Sequence, residues 1–233
     1  MNIAVILAGG TGKRVGSGIP KQFLQLAGKT VLEHSVLTFD NHPLIDEIAI
    51  VIHRDYIDDI NALIGKNRWQ KVRKVLPGGR ERYESSLVAL RSYKDCPSSN
   101  ILIHDAARPL VSARIITDSI KALESNNAVM VGLATSDTIF QTDKEGKYIA
   151  SIPQRALLRR AQTPQSFKIG TLSKAFEIAL KDPAFVCTDD CGIVSRYLPA
   201  EPIAIVEGEE KNMKLTYSSD LSILETLTAK TVG

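Results

Sequence analysis

The chain has 233 residues, of which 44% are hydrophobic and 24% charged, with a formal net charge of +3. That length can bury a core without disulfide or metal staples, and the apolar share excludes a disordered or fibrous chain. The weak positive charge does not call for nucleic acid as a partner, and it suits an anionic small substrate.

In chain order, short apolar runs alternate with amphipathic stretches. Residues 3–7, 48–52, 72–76, 101–103 and 129–133 read as strands, and 30–39, 56–64, 83–92 and 113–125 as helices. Regular alternation of this kind predicts a mostly parallel sheet with helices on both faces. Runs such as IAVIL and IAIVI are apolar at every position, as strands covered on both faces require. The alternation breaks after Leu133: residues 136–141 read as an exposed strand, 143–147 as a turn and 148–152 as a returning strand. This predicts a β-hairpin arm over about 136–160, which either packs on a partner subunit or is simply solvated. A helix over 169–180, a strand over 203–206 and a helix from Ser219 close the chain. No linker or repeat interrupts it, so a single domain, residues 1–233, is expected.

Cys96, Cys187 and Cys191 are odd in number, and the last two stand four apart rather than in a CxxC pair. No histidine lies near that pair, so reduced thiols in a cytoplasmic protein are expected rather than zinc. The chain opens on a strand, not on a leader pattern, and its apolar runs fall far short of a membrane span.

The first strand runs into a loop carrying Gly9, Gly10, Gly12 and Gly16, with Lys13, Arg14 and Lys21 around it. Loops at the carboxyl ends of parallel strands are where α/β sheets bind ligands, and glycines let backbone N–H groups approach phosphate oxygens. A dinucleotide fingerprint would need a third glycine where Val15 stands, and a P-loop would need Ser or Thr where Arg14 stands. On the residues alone, a triphosphate grip and a solvated basic loop both remain open. Further along, Pro77-Gly78-Gly79-Arg80-Glu81-Arg82 with Ser85 sits between a strand and a helix, where plain helix capping is the simpler reading. His104-Asp105-Ala106-Ala107-Arg108-Pro109 ends a strand. An acid there, opposite a phosphate loop, can hold Mg²⁺, with Arg108 either in the pocket or as a structural ion-pair partner. His104 reads as a packed strand-end residue.

With these motifs in view, the chain resembles the cytidylyltransferases that activate polyol phosphates. L-A-G-G-x-G-x-R-x-G, P-K-Q-F, the Pro77 and His104 motifs, Ser136-Asp137-Thr138, Pro153-Gln154-Arg155, Thr188-Asp189 and Asn212-Met213-Lys214 carry the resemblance, which runs over residues 3 to about 221. It implies a three-layer, mostly parallel Rossmann-like nucleotidyltransferase sheet with a protruding β-hairpin arm, a homodimer formed through that arm, and Mg²⁺ near Asp105. It implies that CTP lies against Leu7, Ala8, Gly9, Gly10, Thr11, Gly12 and Lys13, and against Gly78, Gly79, Ser85 and Ala106. Arg14, Lys21 and Lys214 would stabilise the charge that develops during transfer. Asp105, Arg108, Thr138, Arg155, Thr163 and Thr188 would bind the acceptor, with Thr138 and Arg155 reaching across the dimer. Arg159 and Arg160 read as solvated charges.

Two branches of that family differ in the acceptor. His-Asp-Ala-Ala-Arg-Pro and Arg-Ala-Gln-Thr-Pro-Gln resemble the branch acting on 2-C-methyl-D-erythritol 4-phosphate. The opening Ile-Leu-Ala-Gly-Gly and Ile152-Pro153-x-Arg155 resemble the branch acting on D-ribitol 5-phosphate, toward which the reading leans. The methylerythritol branch usually has Glu-Ala where this chain has Asp190-Cys191, and often an acid where it has Lys211. A sugar-1-phosphate nucleotidyltransferase shares the glycine loop and is the nearest rival. A nicotinamide oxidoreductase fails at Val15, and a non-catalytic nucleotide-binding module has no need of Arg14, Lys21 and Asp105 together.

Overall fold

The computed structural model describes residues 1–10 and 19–232, without the side chains of 230–232. Seven strands form the central sheet: β1 (Asn2–Leu7), β4 (Glu47–Ile52), β5 (Val72–Pro77), β6 (Asn100–Asp105), β7 (Ala128–Ala134), β10 (Arg159–Lys168) and β11 (Ile203–Glu207). Their spatial order is β11-β7-β10-β6-β1-β4-β5. Every pairing is parallel except those of β10, which runs antiparallel between β6 and β7. Two short antiparallel pairs stand apart from it: β2 (Gln25–Leu26) with β3 (Lys29–Thr30), and β8 (Gln141–Thr142) with β9 (Ile149–Ser151).

The pleat explains the layering, because successive side chains of a strand point to opposite faces. On β1, Ala4 and Ile6 join one core, which they share with α1 (Val31–Asp40), α2 (Ile57–Asn67) and α4 (Ala113–Ala122). Ile3, Val5 and Leu7 join the other, with α3 (Arg82–Ser92), α5 (Ile169–Ala179) and α6 (Asp190–Tyr197). Both faces are therefore apolar, and Phe39 or Phe176, fully buried in the two cores, would each cost about 3–5 kcal/mol on truncation to alanine. The last helix, α7 (Ser219–Val232), packs Leu224 with Leu26, Val31 and Leu215 in a third, smaller cluster.

One expectation needs correction, and two elements are new. Residues 136–140 form no strand: the Asp137 amide donates to Thr135 Oγ1 at 3.3 Å, a local turn that competes with pairing. Only Gln141–Thr142 joins the hairpin. The strand β10 and the helix α6 were not expected at all. β10 is rich in buried polar residues, Gln162, Thr163, Gln165 and Ser166, and its pairing slips between Gln162 and Gln165. α6 has eight residues and a glycine in its first turn, too little for a clear helical period.

Candidate active site

At the carboxyl ends of β1, β5 and β6 lies a cleft of about 220 Å³ lined by Leu7, Gly9, Gly10, Lys21, Gly79, Arg80, Glu81, Arg82, Ser85, Asp105, Ala107 and Lys214. The strand ends that frame it are tied together. Ala8 N donates to Val51 O at 2.7 Å, Ala106 N to Leu7 O at 3.0 Å and Gly78 N to Ile52 O at 2.7 Å. Ser85, buried on the first turns of α3, is where two glycine segments meet. Its Oγ accepts from Gly79 N at 3.2 Å, and a side chain added at Gly9 or Gly78 would come within 3.6 or 3.0 Å of it. Glu84 fixes the rest of the second segment by accepting from Arg80 N at 2.6 Å and Glu81 N at 3.0 Å. A Cβ at Gly79 would lie 2.2 Å from Glu84 Cβ, so only glycine fits there.

Charge converges on the last residue of β6. Asp105 Oδ2 accepts from Lys214 Nζ at 2.7 Å, Oδ1 from Arg82 Nε at 3.3 Å, and Arg108 Nε stands 4.0 Å from Oδ2. Burial pushes the Asp105 carboxyl up, but the fields of Arg82 and then Lys214 outweigh it and hold the group well below the usual carboxylate range. Arg82 is pushed down by burial, yet Asp190 and Asp105 together raise it above the ordinary arginine value. Asp105 is thus ionised at any working pH. Lys21, on the 3-10 turn Lys21–Phe23, donates to Leu215 O at 3.0 Å, and Leu215 N donates to Ala107 O at 2.8 Å. Both lysines are therefore seated on the segment around Leu215.

That segment is locked from behind. Asn212 is fully buried, and its Nδ2 donates to Gln162 Oε1 at 3.1 Å and Thr163 O at 2.9 Å. Arg108 stands outside the cleft lining, with its Nη1 donating to Asn212 O at 2.7 Å and its Nη2 to Ala161 O at 3.2 Å. Thr163 is 4% exposed, and its Oγ1 accepts from Asp105 N at 3.1 Å and lies 3.0 Å from His104 Nδ1. In this chain the Thr163 hydroxyl braces the end of β6 rather than facing the cleft. His104 is fully buried, its Nε2 lies 3.1 Å from Arg108 O, and burial pushes its pKa down to about 4. It is a neutral packing residue.

The other expected site residues fall elsewhere. Thr11, Gly12, Lys13 and Arg14 lie outside the described residues. Thr138 and Arg155 are exposed on the arm, where Arg155 Nη1 donates to Ser136 O at 3.0 Å. Thr188 is exposed just before α6. Arg159 is exposed and donates to Ala156 O and Leu158 O, while Arg160 is exposed and pairs with Glu210 at 2.5 Å. Lys211 pairs with Glu209 at 3.4 Å, and among the described residues no cluster of three or more His, Cys, Asp or Glu could cage a metal. Cys96, Cys187 and Cys191 are unbridged. Burial pushes the Cys187 thiol up to about 11, which argues against thiolate chemistry. Sequence reading gave no role to Arg82, Gln162 or Asn212. Arg82 stands in a motif beside glycines, but its acidic partners are distant in sequence.

A mostly parallel α/β sheet that sets glycine segments and fixed cations around one ionised carboxylate is the layout of a nucleotidyltransferase. The profile of the family described as IspD: 2-C-methyl-D-erythritol 4-phosphate cytidylyltransferase matches residues 2–230. The chain belongs to this family and is a CTP-dependent cytidylyltransferase. A Thermobifida fusca protein described as 2-C-methyl-D-erythritol 4-phosphate cytidylyltransferase is 46% identical over 228 residues, 96% of this chain and 92% of its own. A Haemophilus influenzae protein described as bifunctional ribulose 5-phosphate reductase/CDP-ribitol pyrophosphorylase Bcs1 is 44% identical, over 97% of this chain and 48% of its own length. Among solved structures, 4-diphosphocytidyl-2C-methyl-D-erythritol synthase from Anaerococcus prevotii superposes with a TM-score of 0.86 at 28% identity, over 98% of this chain and 96% of that one.

Proposed function

We propose that this enzyme transfers CMP from CTP to D-ribitol 5-phosphate, giving CDP-ribitol and pyrophosphate. The transfer itself rests on one observation: the Asp105 carboxylate meets Lys214 and Arg82 on the floor of a glycine-lined cleft. An oxygen of the acceptor's phosphate attacks the α-phosphorus of CTP. The bond from that phosphorus to the bridging oxygen breaks, and pyrophosphate leaves with the electron pair. A phosphate monoester is already a nucleophile, so no covalent enzyme intermediate is required, and catalysis reduces to positioning and charge neutralisation. Gly9, Gly10, Gly78, Gly79 and Ser85 hold the nucleotide. Arg14, Lys21 and Lys214 take up the charge on the triphosphate and the leaving group. Arg108 and Thr188 serve the acceptor's side.

Family members depend on a divalent cation, and the donor set here suits Mg²⁺. That ion is commonly held by one or two carboxylates plus substrate phosphates rather than by a protein cage. Asp105 provides such a carboxylate, with lone pairs beyond those used by Lys214 and Arg82. Bound there, Mg²⁺ would neutralise phosphate charge.

We further read the chain as one cytoplasmic domain with a dimerisation arm, since large apolar side chains of residues 139–157 face outward and all three thiols are free. Thr138 and Arg155 would then reach the partner's acceptor site.

The ribitol reading is supported by Ile152-Pro153-x-Arg155 and by the Haemophilus relative, whose name includes CDP-ribitol pyrophosphorylase. The identity to the Thermobifida protein favours 2-C-methyl-D-erythritol 4-phosphate as a second reading. Pyrophosphate release with each purified acceptor decides between them. A kcat/KM at least about tenfold higher for ribitol 5-phosphate is expected, because the two acceptors differ in chain length, branching and one hydroxyl. A preference of that size for methylerythritol phosphate would overturn the acceptor assignment.

A further inference from the structure

We infer that Asp190 is a positioning residue for cytidylyl transfer: through the Arg82 guanidinium it ties the start of α6, and with it the Thr188 segment, to Asp105 on the cleft floor. The inference rests on the reading that Thr188 lies on the acceptor's side.

Asp190 is the first residue of α6 and is fully buried. Its Oδ2 accepts from Arg82 Nη1 at 2.6 Å, and the same guanidinium donates from Nε to Asp105 Oδ1 at 3.3 Å. Arg82 is the first residue of α3 and also lines the cleft. One planar, always-charged group therefore spans the nucleotide segment, the end of β6 and the start of α6.

The start of α6 does not need this carboxylate to hold its place. Asp189 caps it, with Oδ1 accepting from Gly192 N at 2.7 Å. Gln165 on β10 accepts from Asp190 N at 2.9 Å and Cys191 N at 3.1 Å, and donates to Asp189 Oδ2 at 2.9 Å. The way Arg82 is shared also argues against a purely structural pair. A side-by-side fork onto Asp190 would satisfy both Asp190 oxygens and both Arg82 Nη atoms. Instead the guanidinium is divided between two acids. Asp190 Oδ1 and Arg82 Nη2 are buried without a hydrogen-bond partner among the described residues. A buried ion pair left half-satisfied is a poor way to gain stability. What the arrangement does provide is direction. Arg82 holds Asp105 Oδ1 and Lys214 holds Oδ2, so neither oxygen of the site carboxylate can turn freely.

Asp190→Asn keeps the shape and removes the charge. Three measurements on the full chain test it: CTP binding by calorimetry without acceptor, thermal unfolding, and steady-state pyrophosphate release against acceptor concentration. We expect kcat to fall roughly tenfold to a hundredfold and the acceptor KM to rise, as for a displaced reacting group. The CTP Kd should move less than about threefold, separating positioning from nucleotide binding. Asp190→Glu, which keeps the charge, should recover most of kcat. An active parent beside an unimpaired Asp190→Asn overturns the inference alone. Joint loss of CTP binding and cooperative unfolding in Asp190→Asn also overturns it, because the pair is then only structural. A parent that binds CTP but turns over no polyol phosphate overturns the acceptor reading, and this inference with it.

Discussion

The cleft and the arm meet the demands of burial in opposite ways. At the cleft, Arg82, Lys214 and Arg108 surround Asp105 within 4.0 Å, and Thr163 and Asn212 pin the backbone behind it. These charges are in place before any substrate arrives, which is what makes fixed cations effective in phosphoryl chemistry. The arm has no such self-sufficiency. Its strands are two and three residues long, too short to be stable as an isolated hairpin. Tyr148 and Leu157 are 74% and 77% exposed, with Ile139, Phe140, Ile149 and Ile152 also outward. On the dimer reading proposed above, these outward apolar side chains are the ones that pack against a partner. Among the described residues the charges of the cleft find their partners within the chain, whereas on the dimer reading the arm turns to a second surface.

The largest effect should come from breaking the cleft. Lys21→Ala removes a cation seated on Leu215 O and touches none of the buried apolar cores. Turnover should fall by roughly a hundredfold or more, on the order of 2.7–4 kcal/mol in the barrier, with the unfolding temperature little changed. Wild-type kcat in this variant would remove Lys21 from the chemistry.

The arm gives the next effect. The double variant Tyr148→Asp, Leu157→Asp places charges on its two most exposed large apolar side chains. Sedimentation should show a dimer giving way to a monomer that still binds CTP. Acceptor turnover should drop, because Thr138 and Arg155 would no longer reach a neighbour. A dimer that survives these charges would place the interface on another surface and leave the arm merely solvated.

The same contrast governed what could be read from the sequence. β1, β4 and β6 are legible because strands covered on both faces must be apolar throughout, and the second glycine motif is legible because a Cβ at Gly79 would lie 2.2 Å from Glu84 Cβ. β10 is not legible. It is a central strand whose buried Gln162, Thr163 and Gln165 are satisfied by Asn212, His104 and Asp189, contacts made only once the chain is folded. Polar residues with a proline among them read as loop until those partners are known. Arg82 was visible in its motif, but its ties to Asp105 and Asp190 span 23 and 108 residues. The hydroxyl of Thr163 was expected on substrate for the same reason: nothing local announces that it is already engaged. For α6 a signal did exist, since Asp189 three residues before Gly192 is an N-cap pattern.

The smallest effect probes the support beneath the cleft. Glu33 is 2% exposed on the first turn of α1. Its Oε2 accepts from Thr30 N at 2.7 Å, and its Oε1 accepts from Asn67 Nδ2 at 2.9 Å and Lys66 Nζ at 3.1 Å. Burial pushes this carboxyl up, but the Thr30 amide and then the Asn67 amide outweigh it, bringing the pKa down from the usual 4.5 to about 2. The sign follows: the unfolded chain takes up this proton at a higher pH than the folded one. The contribution is therefore full above 4.5 and is lost as pH falls toward about 2. Discounted for the exposed Lys66, it should amount to about 1–2 kcal/mol. Glu33→Gln should flatten the denaturant-midpoint profile in that acid window. Because Val31 N donates to Leu24 O at 3.0 Å, a loosened start of α1 also loosens the turn that carries Lys21, so the variant should show a small rise in CTP KM. Parallel midpoint profiles for parent and variant below pH 4.5 would assign the acid sensitivity to other carboxylates and leave α1 without this anchor.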